Sequence, residues 1–239
     1  MTPHTKSASR SEEIARKHRE YLWPAVGTLY QQPLIADRAH MQHVWDIDGR
    51  QYLDFFGGIL TLSVGHTNPK VSAAAKAQVD RLQHTSTLYP TEAIVNLAQK
   101  VAQITPGALQ KSFFTNSGTE ANEAAIQLAR AATGSFDVIA LRHSYSGASA
   151  TTKSLTGQAP WRKSGVISLG VAHAMNAYCY RCPLGMTYPS CEVACAKDVE
   201  NLIQTGTSGR IAAFIAEPIQ GVGGFITPPL EYFKMVFRH

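Results

Sequence analysis

No apolar run in the sequence approaches the roughly 20 residues that carry a helix across a bilayer, so no membrane span is expected. The opening MTPHTKSASR lacks the apolar core of a secretory signal. Its Ser, Thr, Lys and Arg would suit a transit peptide, but a stretch this short is expected to be a frayed terminus. Concentrated charge is missing as well. Lys and Arg number 22 against 17 Asp and Glu, and the resulting +5 is scattered along the chain, which gives no reason to expect nucleic-acid binding. Internal repeats and low-complexity segments are absent. With 44% hydrophobic residues over 239 positions, the chain can bury the core of one large domain or two unequal ones. A soluble, cytoplasmic protein is the expectation.

Cysteine is scarce and confined to one place. Cys179, Cys182, Cys191 and Cys195 all fall within AYCYRCPLGMTYPSCEVACAKD. Thiols paired as C-x-x-C and C-x-x-x-C could close a tetrahedral zinc site. In a reducing compartment, however, thiols are more commonly small buried hydrophobes, and disulfides are disfavoured. No metal ligand is assigned on spacing alone.

Ser9 and Glu12 stand at capping-box spacing, so a first helix is predicted to run to about Trp23, ahead of Pro24. From His43 the sequence alternates around Asp48-Gly49, a β-hairpin signal. GGILTLSVGHTNP then reads as turn-rich chain, with His66 a structural hydrogen-bonding residue rather than a base. Val71 to Gln83 and Glu92 to Ile104 carry helical apolar spacing and are expected to pack on a sheet. DVIALR at 137–142, VISLG at 166–170 and RIAAFIAEP at 210–218 are strand-length apolar runs. Separated by helical or loop segments, they predict an α/β fold with a mostly parallel sheet.

Phe113 and Phe114 suit a buried strand, and Ala121 to Arg130 is a run of helix formers without Gly or Pro. Ser117, Gly118 and Thr119 therefore fall at a helix N-terminus, where unpaired amides and the positive end of the dipole favour an anion. The spacing also fits a plain N-cap. Both readings stand at this point. Tyr145 follows the 137–142 run and Glu217 closes the 210–218 run. All these residues thus lie at strand ends, where open parallel sheets bind ligands.

FFTNSGTEANEAAIQLAR with RHSYSG at 142–147 and AEPIQGVGG at 216–224 resembles the class III aminotransferases of pyridoxal-phosphate fold type I. YLDFFGGILTLSVGHTNPKV at 52–71 and LQHTSTLYPTE at 82–92 resemble its alanine–glyoxylate aminotransferase 2-like branch, and the likeness extends over about residues 28–238. The resemblance implies an enzyme that moves an amino group from an amino acid to a 2-oxo acid such as glyoxylate or pyruvate, using pyridoxal 5'-phosphate. By the same resemblance Ser117, Gly118 and Thr119 take the phosphate, Tyr145 stacks on the ring, and Glu217 with Gln220 supports the ring's surroundings. The resemblance also implies that Gly58 and Ile59 face substrate. An apolar Ile59 argues against ornithine, and Ser146 and Val222 depart from the family's usual residues.

The lysine that would hold the cofactor and the Asp that would face its ring nitrogen are expected beyond His239, in a Gly-rich segment and a D-E-x-Q strand. None of Lys153, Lys163 and Lys234 stands in such a context, so no catalytic residue is assigned, and the chain alone is expected to be inactive. Residues 1–70 are expected to join a small domain and 71–239 to form part of the large one, with homodimers in the intact protein. The alternatives are an aminomutase or decarboxylating enzyme on the same scaffold, or a non-catalytic, metal-stapled chain.

Overall fold

The computed structural model describes residues 9–24, 27–28, 30–163 and 170–238. By its contacts the chain divides into two compact units, Met1–Val95 and Asn96–His239.

In the first unit, helix α1 (Arg10–Tyr21) starts on the expected capping box. The Glu12 amide donates to Ser9 Oγ at 3.2 Å, and the Ser9 amide donates to Glu12 Oε2 at 2.7 Å. α1 stops short of Trp23 because Leu22 already turns to extended backbone. Strands β1 (Ala36–His40), β2 (His43–Asp46) and β3 (Gln51–Leu53) form an antiparallel sheet in chain order. The β2–β3 hairpin is the one expected at Asp48-Gly49, and the Asp46 carboxylate organises its turn. Oδ1 accepts from the Asp48 and Arg50 amides at 3.0 and 2.8 Å, and Oδ2 accepts from the Tyr52 hydroxyl at 2.7 Å. Gly49 supplies the positive φ of +85° that this turn requires. A short left-handed turn, α2 (Gly57–Leu60), leads to α3 (Pro69–Arg81). Asn68 caps α3 by accepting from the Lys70 and Val71 amides, and Pro69 occupies its first turn. α4 (Glu92–Ile104) matches its predicted span and contains the boundary between the units, with most of its residues in the second. Neither α3 nor α4 buries a residue, which corrects the expectation that both pack on a sheet. Their apolar stripes are present but largely exposed, with Ala98, Val101 and Ala102 of α4 partly buried.

The second unit is layered. α5 (Gly118–Thr133) ends on Gly134 in the left-handed conformation and feeds β4 (Asp137–Leu141). α6 (Ala150–Leu155) precedes β5 (Val171–Ala174), and α7 (Ala194–Gly206) precedes β6 (Ile211–Ile215). α8 (Tyr232–Val236) follows. The sheet order is β5-β4-β6, with both pairings parallel, as the sequence predicts. β4 is buried on both faces, and its alternation sorts the core. Val138 and Ala140 meet Ile126 and Leu155, while Ile139 and Leu141 meet Val199, Ile203, Tyr232 and Val236. α5 and α6 thus supply one layer and α7 and α8 the other.

One expected strand needs correction, and another lies almost wholly outside the described residues. Phe113 and Phe114 form no strand and are 76% and 41% exposed. A two-residue apolar run becomes a strand only against a partner, and 113–114 pairs with none of the described strands. Of the run predicted at 166–170, residues 166–169 lie outside the described residues. Gly170 is a turn at φ +80°, and β5 begins at the next residue.

Candidate functional site

The sheet directs three segments of the second unit to one edge: the start of α5, the loop leaving β4 and the loop leaving β6. At the first, extended Ser117 accepts the Glu120 amide on its Oγ at 3.1 Å. The Glu120 carboxylate reaches back to the Asn116 amide at 2.7 Å. Ala121 makes the first intrahelical bond, to the Ser117 carbonyl at 3.0 Å. The amides of Gly118 and Thr119 are left without partners among the described residues. A Cβ built on Gly118 meets nothing within 4 Å, so the approach to both is open.

The loop leaving β4 is fastened to the first turns of α5. Thr119 Oγ1 accepts from the Ala148 amide at 3.2 Å, Asn122 Nδ2 donates to the Ser146 carbonyl at 2.8 Å, and Ser149 Oγ donates to Glu123 Oε1 at 2.5 Å. Gly147 permits this closeness. It sits at φ +136°, and a Cβ there would lie 2.6 Å from Thr119 Oγ1 and 2.7 Å from Thr152 Oγ1.

Glu217, two residues past β6, ties the other two segments together. Its Oε1 accepts from the Tyr145 amide at 2.9 Å and its Oε2 from the Gly221 amide at 2.8 Å. Hydrogen bonds from amides to a carboxylate are among the stronger kind, so this one side chain holds two loops in register. Gln220 is 2% exposed and faces inward: its Nε2 donates to the Arg142 carbonyl at 2.8 Å, and its backbone pairs with Ile226. The Tyr145 ring is 39% exposed and packs edge-on against Trp161, with centroids 5.5 Å apart. Sequence reading missed Trp161, Asn122, Glu123 and Gly147. Asn122 and Glu123 follow Gly118 and Thr119 by one helical turn, which could have flagged them. Nothing local marks Trp161.

Gly58 and Ile59 lie in the first unit, within α2. Gly58, Ile59 and Leu60 all have φ near +60°, and Ile59 is 68% exposed. A β-branched residue held there stores strain of roughly 1–3 kcal/mol, which other contacts must offset. Asp54 supplies them. Its Oδ1 accepts from the Phe56 and Gly57 amides at 2.8 and 2.9 Å, and its Oδ2 accepts from His66 Nε2 at 2.7 Å. His66 is itself pinned, its backbone exchanging two hydrogen bonds with Met41, so it is structural as expected.

The bond from His66, aided by the two amides, holds the Asp54 carboxyl below its usual range. A depressed carboxyl contributes stability above its unfolded value, near pH 3.9, and loses it as pH falls through the folded value. Asp54→Asn is therefore expected to melt at a lower temperature than the parent at neutral pH, with the gap closing on acidification below about pH 4. Thermal melts across a pH series check this.

Among the described residues no helix is long and apolar enough to cross a membrane, and no three His, Cys, Asp or Glu side chains stand in a metal-ligating arrangement.

A parallel sheet flanked by helices on both faces, with an open helix start beside two strand-end loops, defines an α/β protein with its candidate site at one sheet edge. The family model for class III aminotransferases matches residues 26–238, and the chain belongs to that family. Alanine–glyoxylate aminotransferase 2 homolog 2, mitochondrial, of Arabidopsis thaliana is 42% identical over 236 residues, covering 99% of this chain and 48% of the relative. The human alanine–glyoxylate aminotransferase 2, mitochondrial, is 37% identical over 239 residues, covering 92% and 46%. Among solved structures, an (S)-enantioselective ω-transaminase from Thermomicrobium roseum superimposes with a TM-score of 0.85 at 30% identity, over 98% of this chain and 55% of that one. The taurine:2-oxoglutarate aminotransferase of Bifidobacterium kashiwanohense, solved with PLP and glutamate, gives 0.84 at 27% identity, over 97% and 53%. The architecture is that of the fold type I transferases, and the chain spans about half the length of the curated relatives it matches.

Proposed function

We propose that this chain forms the phosphate- and ring-binding part of a pyridoxal 5'-phosphate-dependent aminotransferase that moves an amino group from an amino acid to a 2-oxo acid such as glyoxylate or pyruvate. The observation that carries the reading is the pair of unpartnered amides at Gly118 and Thr119, on the same sheet edge as Tyr145 and Glu217. Two N–H groups at a helix start suit a phosphate, and the Ser117 and Thr119 hydroxyls keep hydrogens to donate. The residues present therefore fit the group.

In this reading the Tyr145 ring covers one face of the bound pyridine, with Trp161 fixing its tilt. Glu217 would act through the backbone, because its carboxylate fixes the Tyr145 segment by accepting from the Tyr145 amide. Gln220 supports the same wall from inside. When bound, pyridoxal phosphate supplies the electron sink that lets an amino acid lose its Cα proton. Gly58 and Ile59 are proposed to face substrate on their strained turn. Homodimers and cytoplasmic residence belong to the same proposal, the latter against the mitochondrial naming of the Arabidopsis and human relatives.

Equilibrium titration of the chain with pyridoxal 5'-phosphate and with pyridoxal tests the reading. The phosphate-bearing compound is expected to bind at least about tenfold more tightly, the equivalent of one charge-assisted hydrogen bond, whereas equal affinities would contradict it. For the substrate, a protein extending this chain to the relatives' length should convert alanine and glyoxylate to equal amounts of pyruvate and glycine. Racemised alanine without pyruvate would contradict the transfer.

A further inference from the structure

The four cysteines, which the reading above does not use, converge. Cys179, Cys182, Cys191 and Cys195 all line one small cavity in the second unit, whose other walls include Pro183, Leu184, Met186 and Val193. The cavity measures about 20 Å³. A single water needs roughly 10–15 Å³, so the space suits one small ion and no organic ligand.

The frame around it is built for ligands. Cys179 opens a short helical turn that ends at Cys182, and a second tight turn follows, closed where the Gly185 amide donates to the Cys182 carbonyl at 3.1 Å, with Gly185 at φ +66°. Cys191 and Cys195 bracket the start of α7, where the Cys191 amide donates to the Thr187 carbonyl at 3.0 Å and the Ala194 amide donates to the Cys191 carbonyl at 3.1 Å. Two thiols from a knuckle and two from a helix start are what a tetrahedral sulfur site takes.

The plainer account makes the thiols core filler, and burial argues against it. Free cysteine used as a small hydrophobe is among the most buried residue types. Here Cys179 is exposed and Cys182, Cys191 and Cys195 are partly buried, Cys195 alone of the four packing against the hydrophobic core. As placed, the sulfurs do not yet form a ligating set. Moving a cysteine between staggered χ1 wells shifts its sulfur by about 3 Å, so closure on an ion calls for side-chain rotation.

We propose that Cys179, Cys182, Cys191 and Cys195 form a structural site for one zinc ion, pinning the 179–195 loop to the start of α7. The site shares no residue with the one assigned to the cofactor, and it stands or falls independently of that reading.

The test is metal analysis of the chain expressed in zinc-supplemented medium and dialysed. About one zinc per chain is expected, with Cys179→Ser and Cys191→Ser each retaining less than half of it. Cobalt(II) added to the stripped parent chain should give the intense near-ultraviolet thiolate charge-transfer band and tetrahedral visible bands, a readout that needs no variant to fold. A strong chelator should lower the parent's melting temperature and leave that of Cys179→Ser unmoved. Dialysed chain without zinc, cobalt spectra of an octahedral aqueous ion, or zinc retained in the Cys179→Ser/Cys191→Ser double variant would each overturn the proposal.

Discussion

Gly157→Ala is expected to lose roughly 3–5 kcal/mol of stability, enough to leave much of the 96–238 unit unfolded at 37 °C. The added methyl carbon would lie 2.4 Å from the Leu141 carbonyl oxygen, 2.8 Å from the His143 nitrogen and 2.9 Å from Arg142 Cα. All three are backbone atoms at the exit of β4, and none can swing aside as a flexible side chain would. The Gly157 amide also donates to the Ser144 carbonyl and to Ser144 Oγ, both at 3.0 Å, so moving the loop away would break bonds that set the Tyr145 segment. Gly221→Ala is the control. Its new carbon meets only Glu217 Oε2 at 3.7 Å, an ordinary contact, and its cost should stay within about 1 kcal/mol. Urea denaturation of both variants, followed by circular dichroism, gives the comparison.

The second large effect is on binding. Gly118→Pro deletes one amide hydrogen from the anion seat while leaving the helix able to form. Proline suits the first helical position, where no intrahelical partner is lost. The residue before it must be extended, and Ser117 already is, at φ −151° and ψ 159°. Space is open around Gly118. Removing a hydrogen bond to a charged group costs roughly 1.5–3 kcal/mol, or about 10–150-fold in the dissociation constant for pyridoxal 5'-phosphate. Pyridoxal affinity should not change. Unaltered phosphate-ester affinity in a folded Gly118→Pro chain would move the seat elsewhere.

Features carried by local spacing were legible in the sequence: the Ser9–Glu12 cap, the helix over 92–104, the strand at 137–141 and the helix start at Gly118. The parallel sheet followed, because alternating helical and strand-length runs admit few other arrangements. What stayed hidden depends on partners far along the chain. β1 reads ADRAH, with no apolar alternation, and becomes a strand by pairing with β2 and laying the Arg38 guanidinium 4.3 Å above the Trp45 ring. Phe113 and Phe114 are the reverse case, apolar residues without a neighbouring strand. At the site the residue types were readable and their contacts were not. Glu217 binds a backbone amide 72 positions away, and Gln220 binds a carbonyl 78 positions away. Spacing within one motif carries no trace of such pairs.

The central claim is that the first amides of α5 form the anion seat. The direct measurement is a titration of the ¹⁵N-labelled chain with pyridoxal 5'-phosphate, following amide resonances. The account predicts that Gly118 and Thr119 show the largest downfield shifts, saturating together, with Tyr145 moving on the same curve and inorganic phosphate reproducing the first two alone. Shifts centred on other amides, with Gly118 and Thr119 unmoved at saturation, would contradict it.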